Sequence, residues 1–333
     1  MSTYNILINI SVSIPIIGDE SIALIPPPQD FVFSKINLKD YAFKDKITDG
    51  QGRILTEYVN AVHQGEDDYI ICLEKSIDHV VQNDKPANAL AFVNGPDFDD
   101  LIRPLHEDIE STVFRFFSLL HLYKEGEIAR KSSFYRYMTK EGICSTERLK
   151  EVTIADAITI IRYPMVFTAA DMPSVADMLY NHTVAYTMLK NIVIDDLEYT
   201  YHTLDDSTNY KNLMTPLEVL FLSNNYGDKK EMLAKRIAVF IGTSDSEMKT
   251  IYDYVKNSYK DRSEAIHEGV TDNITRDALD ELRNLTRKVT KKYMAVVERE
   301  LATDPTKTFD DIKTSLVTHL KAIVTTKNTL GIW

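Results

Sequence analysis

From Tyr4 to Ile16 the chain alternates between an apolar parity and a mostly polar one. Tyr4, Ile6, Ile8, Ile10, Val12, Ile14 and Ile16 share one parity, and Asn5, Leu7, Asn9, Ser11, Ser13 and Pro15 share the other. A period of two held over this length predicts a half-buried β-strand. Pro26–Pro28 interrupt the chain, after which DFVFSKINL resumes strand-like alternation. The shorter apolar runs DYIICL and ALAFV predict further strands of the same unit. Around Ile109–Tyr123 the pattern is mixed, and FRFFSLLHLYKEG fits a helix and a buried strand equally well.

From about Pro173 the period changes to that of helices, with glycines falling between the periodic segments. Thr215-Pro216-Leu217-Glu218 offers an N-cap, a first-turn proline and a capping-box glutamate. Asp228 with Glu231 opens a helix that runs to Ile241 and closes on Gly242. Ser244 with Glu247 opens the next, which stops near Gly269. Thr275 begins a long helix to about Ala302, with Ala278, Leu279, Leu282, Leu285, Val289, Tyr293, Val297 and Leu301 on one side. A last amphipathic helix, near Phe309–Val324, carries Ile312, Leu316, Leu320 and Ile323. The expected fold class is therefore α+β. A β-rich, mixed N-terminal domain (1–171) precedes an all-α bundle (172–333) with short connections.

Composition narrows the function without naming it. The hydrophobic share of 44% and charged share of 26% suit a globular protein. A net charge of −12 argues against general coating of nucleic acid or of an anionic membrane, although a local basic groove remains compatible with it. Cys72 and Cys144 form no CxxC pair, which suits a reducing compartment. No basic leader precedes an apolar run, and no stretch reaches the ~18 apolar residues of a membrane span. A cytoplasmic protein is expected. GxxxxGK[ST], GxGxxG, HExxH and GxSxG are all absent. The eight histidines are scattered without metal-ligand spacing, and no metal or cofactor is expected. Acidic pairs such as Asp195/Asp196 suit solvated turns or helix entries.

One stretch stands out, YKDRSEAIHEG at Tyr259–Gly269. Met248, Ile251, Tyr252, Val255, Tyr259 and Ile266 form the apolar stripe of its helix, and Arg262 falls on that stripe. A guanidinium there must be paired or must reach a polar cleft, because burying an unpaired charge costs several kcal/mol, on the order of the desolvation penalty in real proteins. His267 follows five residues later, about 140° round an ideal helix, so the two do not share a face. Ser263 and His267, at i and i+4, do. By spacing alone the pair reads as a salt-bridging arginine with a C-terminal histidine favoured by the helix dipole.

The surrounding runs MTPLEVLFLSNN, KRIAVFIGTS and IYDYVKNSYKDRSEAIHEG resemble the HEPN superfamily, specifically its ApeA-like branch. The matching residues are Leu217-Glu218, Arg236 with Ile241-Gly242, and Tyr259, Arg262, Ser263 and His267. Glu268, standing between His267 and Gly269, departs from the family's histidine–glycine. The resemblance covers about Pro173–Ala302. It implies a metal-independent Rx4–6H endoribonuclease in which Arg262 and His267 act, with Ser263, Tyr259, Glu218 and Arg236 in support. It also implies a homodimer that builds its site from both protomers, a role in antiviral defence or abortive infection, and an antitoxin or regulatory partner. The N-terminal domain would be its sensor or regulator. A non-catalytic RNA- or nucleotide-binding module and a protein-interaction scaffold are the competing readings. Separately, Arg283, Arg287, Lys288, Lys291 and Lys292 recur at helical spacing with no acid among them. That stripe is either an RNA guide or a solvated helix face.

Overall fold

Strand alternation at the N-terminus becomes one face of a twisted antiparallel sheet. A computed structural model describes residues 4–47, 62–63, 69–83, 96–130, 132–141, 144–153, 164–202, 205–222 and 228–333. Its strands are β1 (Tyr4–Pro15), β2 (Val32–Asn37), β3 (Val62–His63), β4 (Tyr69–Asn83), β5 (Ser132–Glu141) and β6 (Cys144–Thr153). They run in the spatial order β2-β4-β1-β5-β6, with β3 added to one end of β4. Ile8, Ile10, Val12 and Ile14 are buried as the alternation requires. On the opposite parity, Asn9 donates to Ser76 at 3.2 Å and Asp78 at 2.8 Å across the ladder. The run ALAFV lies outside the described residues.

The ambiguous stretch around Ile109–Tyr123 is helical, as the second half of α1 (Pro96–Tyr123). This helix covers the sheet face that carries Tyr135 and Tyr137. Phe98 meets Tyr137 edge-on at 5.3 Å, Tyr135 donates to Glu110 at 2.6 Å, and Asp99 accepts from Arg148 and Lys150 at 2.8 and 2.9 Å. His106 is held down to about 4, by burial first and by Lys150 next, so it is neutral beside Tyr137. Part of the other face is closed by Tyr41 and Phe43, packed on Phe134, Cys72 and Ile70.

The helical region comprises α2 (Met172–Tyr180), α3 (Thr183–Leu189), a π-turn at Lys190–Ile194, α4 (Asp195–Tyr199), α5 (Asp206–Phe221), α6 (Lys229–Ile241), α7 (Asp245–His267), α8 (Arg276–Thr303) and α9 (Phe309–Thr329). The compact units divide at Leu179/Tyr180, and the five residues His121–Glu125 belong with the helical unit. The division expected at 171/172 is thus displaced by one helix. Among the described residues no helix is long and apolar enough to cross a membrane.

Most of the helix punctuation holds. Asp228, Ser244, Thr275 and Thr308 each cap a helix by accepting from the backbone N–H three residues on. Gly242 closes α6 because a Cβ there would meet the Ala238 carbonyl oxygen at 2.7 Å. The Thr215 N-cap does not hold. α5 starts at Asp206 under an Asp205 cap, and Pro216 lies inside it. Proline costs the helix one ladder bond, and burial of Leu213, Met214, Leu217 and Leu220 outweighs that loss. At the centre, Phe221, Phe240, Tyr293 and Phe309 form an aromatic chain with centroid spacings of 5.2 to 6.2 Å, joining α5, α6, α8 and α9.

The helical unit also contains a polar core that the scattered histidines did not announce. Glu198 is 1% exposed and accepts from His121 Nδ1 at 2.6 Å and His202 Nε2 at 3.0 Å. His121 stacks on Tyr201 at 3.8 Å, and the Arg283 guanidinium lies over the same ring at 4.3 Å. Burial opposes ionisation of Glu198, but the two histidines hold its carboxyl down to about 2. Its contribution is therefore present above the ordinary carboxylate range and fades as pH falls towards 2. Glu198→Gln should destabilise the chain by about 3–5 kcal/mol in urea unfolding at neutral pH, the usual effect of breaking a buried pair. The deficit relative to the natural chain should narrow on acidification, and a variant of unchanged stability would refute the assignment.

Candidate active site

Arg262 reaches the site because α7 packs across α5. Ser244 starts α7, and Tyr252, Val255, Ser258 and Ala265 are its buried positions, so residue 262 is carried to the edge of the contact with α5. There Arg262 Nη1 donates to Glu218 at 2.6 Å and Nη2 donates to Thr215 Oγ1 at 3.2 Å. The guanidinium also lies 5.9 Å from the Tyr259 ring. The charge on the apolar stripe is thus paired at the rim, with both side chains about four-fifths buried, at 18% and 22% exposure. Burial first, and the Glu218 carboxylate next, push the Tyr259 hydroxyl above its ordinary range.

His267 stands elsewhere. α7 stays regular to His267, and the next amide, Glu268, still bonds back to Glu264 at 2.8 Å. The offset of about 140° from Arg262 is therefore retained, with no distortion at the helix end. His267 is exposed, and among the described residues it has no hydrogen-bond or ion-pair partner. A single chain does not bring Arg262 and His267 together. The helix ends by conformation, since Gly269 has φ +71 and no atom within 4 Å of a would-be Cβ.

The supporting residues divide. Glu218 orients Arg262 directly. Arg236 does not touch Glu218; it is buried and donates to the Phe221 carbonyl, the last of α5, so it caps that helix. Desolvation lowers its pKa. Ser263 and Tyr259 line a polar hollow of about 510 Å³ with Lys229, Lys230 and Lys260, beside the start of α6. Thr215, expected as a cap, is a partner of Arg262 that the cap pattern concealed.

The basic stripe also divides, and here the expectation of five cations on one open side is corrected. Arg283 and Arg287 are 1% and 4% exposed. Arg283 donates to Thr200 Oγ1 at 2.9 Å and to Asp280 at 2.7 Å, and Arg287 donates to Tyr201 Oη at 2.8 Å and to the His121 carbonyl. The residues of α8 on their face pack inward, which spacing among cations alone does not disclose. Lys288 and Lys292 are exposed, and Lys291 is intermediate. Among the described residues, no group of three or more His, Cys, Asp or Glu side chains is placed to hold a metal ion.

A double-mutant cycle on Arg262→Ala and Glu218→Ala should give a coupling energy of about 0.5–3 kcal/mol in denaturant unfolding, as for contacting charged pairs. Additive effects would mean that Glu218 does not hold the guanidinium. No protein-family model, no curated protein and no solved structure matches the chain.

Proposed function

We propose that the chain is an endoribonuclease in which Arg262 and His267 act on an RNA phosphodiester. The observation that supports this most is the fixed guanidinium. Glu218 and Thr215 each take one N–H of Arg262, which leaves further donors on the same fork for a phosphate. Glu218 thereby pre-organises the group, and a preset donor stabilises developing charge without reorganisation.

The chemistry asks little more of the protein. The RNA 2′-hydroxyl loses its proton to a base and attacks the adjacent phosphorus. The P–O5′ bond breaks, and the departing oxygen takes a proton, giving a 2′,3′-cyclic phosphate and a 5′-hydroxyl. An exposed imidazole suits either proton transfer near neutral pH. Because α7 is regular, Arg262 of one chain and His267 of the same chain diverge. A homodimer in which each protomer supplies one of the two groups is the arrangement consistent with this divergence. By the same resemblance, the role is antiviral defence through RNA cleavage in the cytoplasm, with the N-terminal sheet domain as regulator.

A scaffold reading also has an observation in its favour, because Glu218 by itself satisfies Arg262 as a structural ion pair. One experiment separates them. Total RNA is incubated with the purified chain in EDTA, with His267→Ala and Arg262→Ala alongside. Each variant should lose about 10²–10⁴-fold of the cleavage rate, the span expected for a general acid–base group. His267→Ala should keep the melting temperature, since the side chain is exposed. No cleavage by the natural chain, or equal cleavage by all three, would overturn the nuclease reading. Unfolding of Arg262→Ala alone would favour the scaffold.

A further inference from the structure

A second concavity in the helical unit lies away from Arg262, between the N-terminal half of α7 and the middle of α8. It encloses about 710 Å³, within the range of small-molecule sites. Ile241, Ile251 and Leu285 supply an apolar floor, and Tyr254 and Asn284 stand beside it. Lys288, Lys291 and Lys292, all within a little over one turn of α8, line it too, with the Lys292 amine 5.4 Å from the Phe240 ring.

Carboxylates stand near those three amines, but none forms a close ion pair with them. Among the described residues none of them lies within ion-pair distance of a carboxylate. Lys291 donates to the Tyr123 carbonyl at 3.2 Å, which leaves two of its three N–H bonds unused. Burial first, and then Arg287 and Lys288, lower its pKa, so the neighbouring charges repel it. Three glutamates share the cavity wall, yet they do not cancel the cluster. Glu247 lies near Lys288 and Lys292 without pairing to either, its carboxylate bound instead at 2.8 and 2.6 Å to the amide and hydroxyl of Thr243. Glu281 stands on α8 about 10 Å along the axis from Lys288, at ~1.5 Å per residue. Glu125 lies near Lys291 without pairing to it.

We infer that this cavity binds a phosphorylated ligand of mononucleotide size, its phosphate held by Lys288, Lys291 and Lys292 and its apolar or aromatic body laid on Ile251, Leu285 and Tyr254. An anion relieves the repulsion among the amines, and the floor rewards a flat body over phosphate alone. Glu281, further along α8, offers an acceptor to amino groups on that body. The site is separate from Arg262, which is eight residues beyond Tyr254 on α7, about 12 Å along the helix. It does not depend on whether the chain cleaves RNA.

The test uses the full chain, with adenosine monophosphate, adenosine, inorganic phosphate and a 12-nucleotide RNA as probes, read by calorimetric titration and thermal shift. Adenosine monophosphate should bind saturably at one per chain and raise the melting temperature. Adenosine and inorganic phosphate should each bind at least tenfold more weakly. The double variant Lys288→Ala/Lys292→Ala should weaken adenosine monophosphate binding at least tenfold, as should Lys291→Met. Arg262→Ala should bind it like the natural chain. If Lys291→Met fails to fold, the double variant decides, because both of its positions are exposed. Absence of binding, or equal binding by the lysine variants, overturns the inference. Phosphate binding as tightly as the nucleotide reduces the cavity to an anion site and overturns it too. RNA binding that needs the lysines and is not displaced by adenosine monophosphate overturns it in favour of an RNA track.

Discussion

Charge held inside the helical unit governs how its helices meet. Arg283 and Arg287 project from one face of α8 into the interior, where an unpaired cation is too expensive to persist. Each is met by groups from elsewhere in the chain: Thr200 and Tyr201 after α4, and the backbone of His121. Glu198 and its two histidines complete the set, and Tyr201 lies between His121 and Arg283 as a shared plane. An apolar interface tolerates sliding by a fraction of a residue, whereas directed donors and acceptors do not. These contacts therefore fix the rotation of α8 about its own axis. That rotation in turn decides which of its cations remain outside.

The Arg262–Glu218 pair depends on this frame at one remove. α5 and α8 pack together, and α7 lies against α5, so the carboxylate arrives at residue 262 only when α8 is seated. The same seating turns Lys288, Lys291 and Lys292 towards the α7 side, where they border the cavity. Two clusters of spare N–H donors thus stand at different heights along α7. One is locked by a carboxylate, and the other has none within ion-pair distance among the described residues.

Much of this was legible from residue order, and the part that was not has physical causes. β1 could be read because every second residue is β-branched or aromatic and the strand is wet on one face. The β5–β6 hairpin was not, because Tyr135 and Tyr137 are buried on one face and Phe134 on the other, which erases the alternation. Caps at Asp228, Ser244 and Thr275 were readable because a side-chain acceptor three residues from an orphan N–H is a local fact. Thr215 was misread for the opposite reason. Its neighbour Pro216 looks like a helix start locally, and only tertiary burial of the leucines around it carries the helix through. The charged stripe failed similarly: spacing gives the face of a helix but not which face is inside. Of the candidate site, Arg262 and its need for a partner followed from the apolar stripe alone. The partner came from a helix 44 residues earlier, which no local pattern specifies.

Gly269 has a bearing on all of this that concerns register more than stability. The turn that ends α7 is enforced by a left-handed backbone in open surroundings, so no packing contact records where the helix must stop. The length of α7, and with it the direction in which its final imidazole points, is written in a single unbranched position. An insertion between Ala265, the last buried position of α7, and His267 would leave the core undisturbed while swinging His267 about 100° per residue around the axis. The angular setting of that imidazole can thus drift over time independently of the fold that carries it.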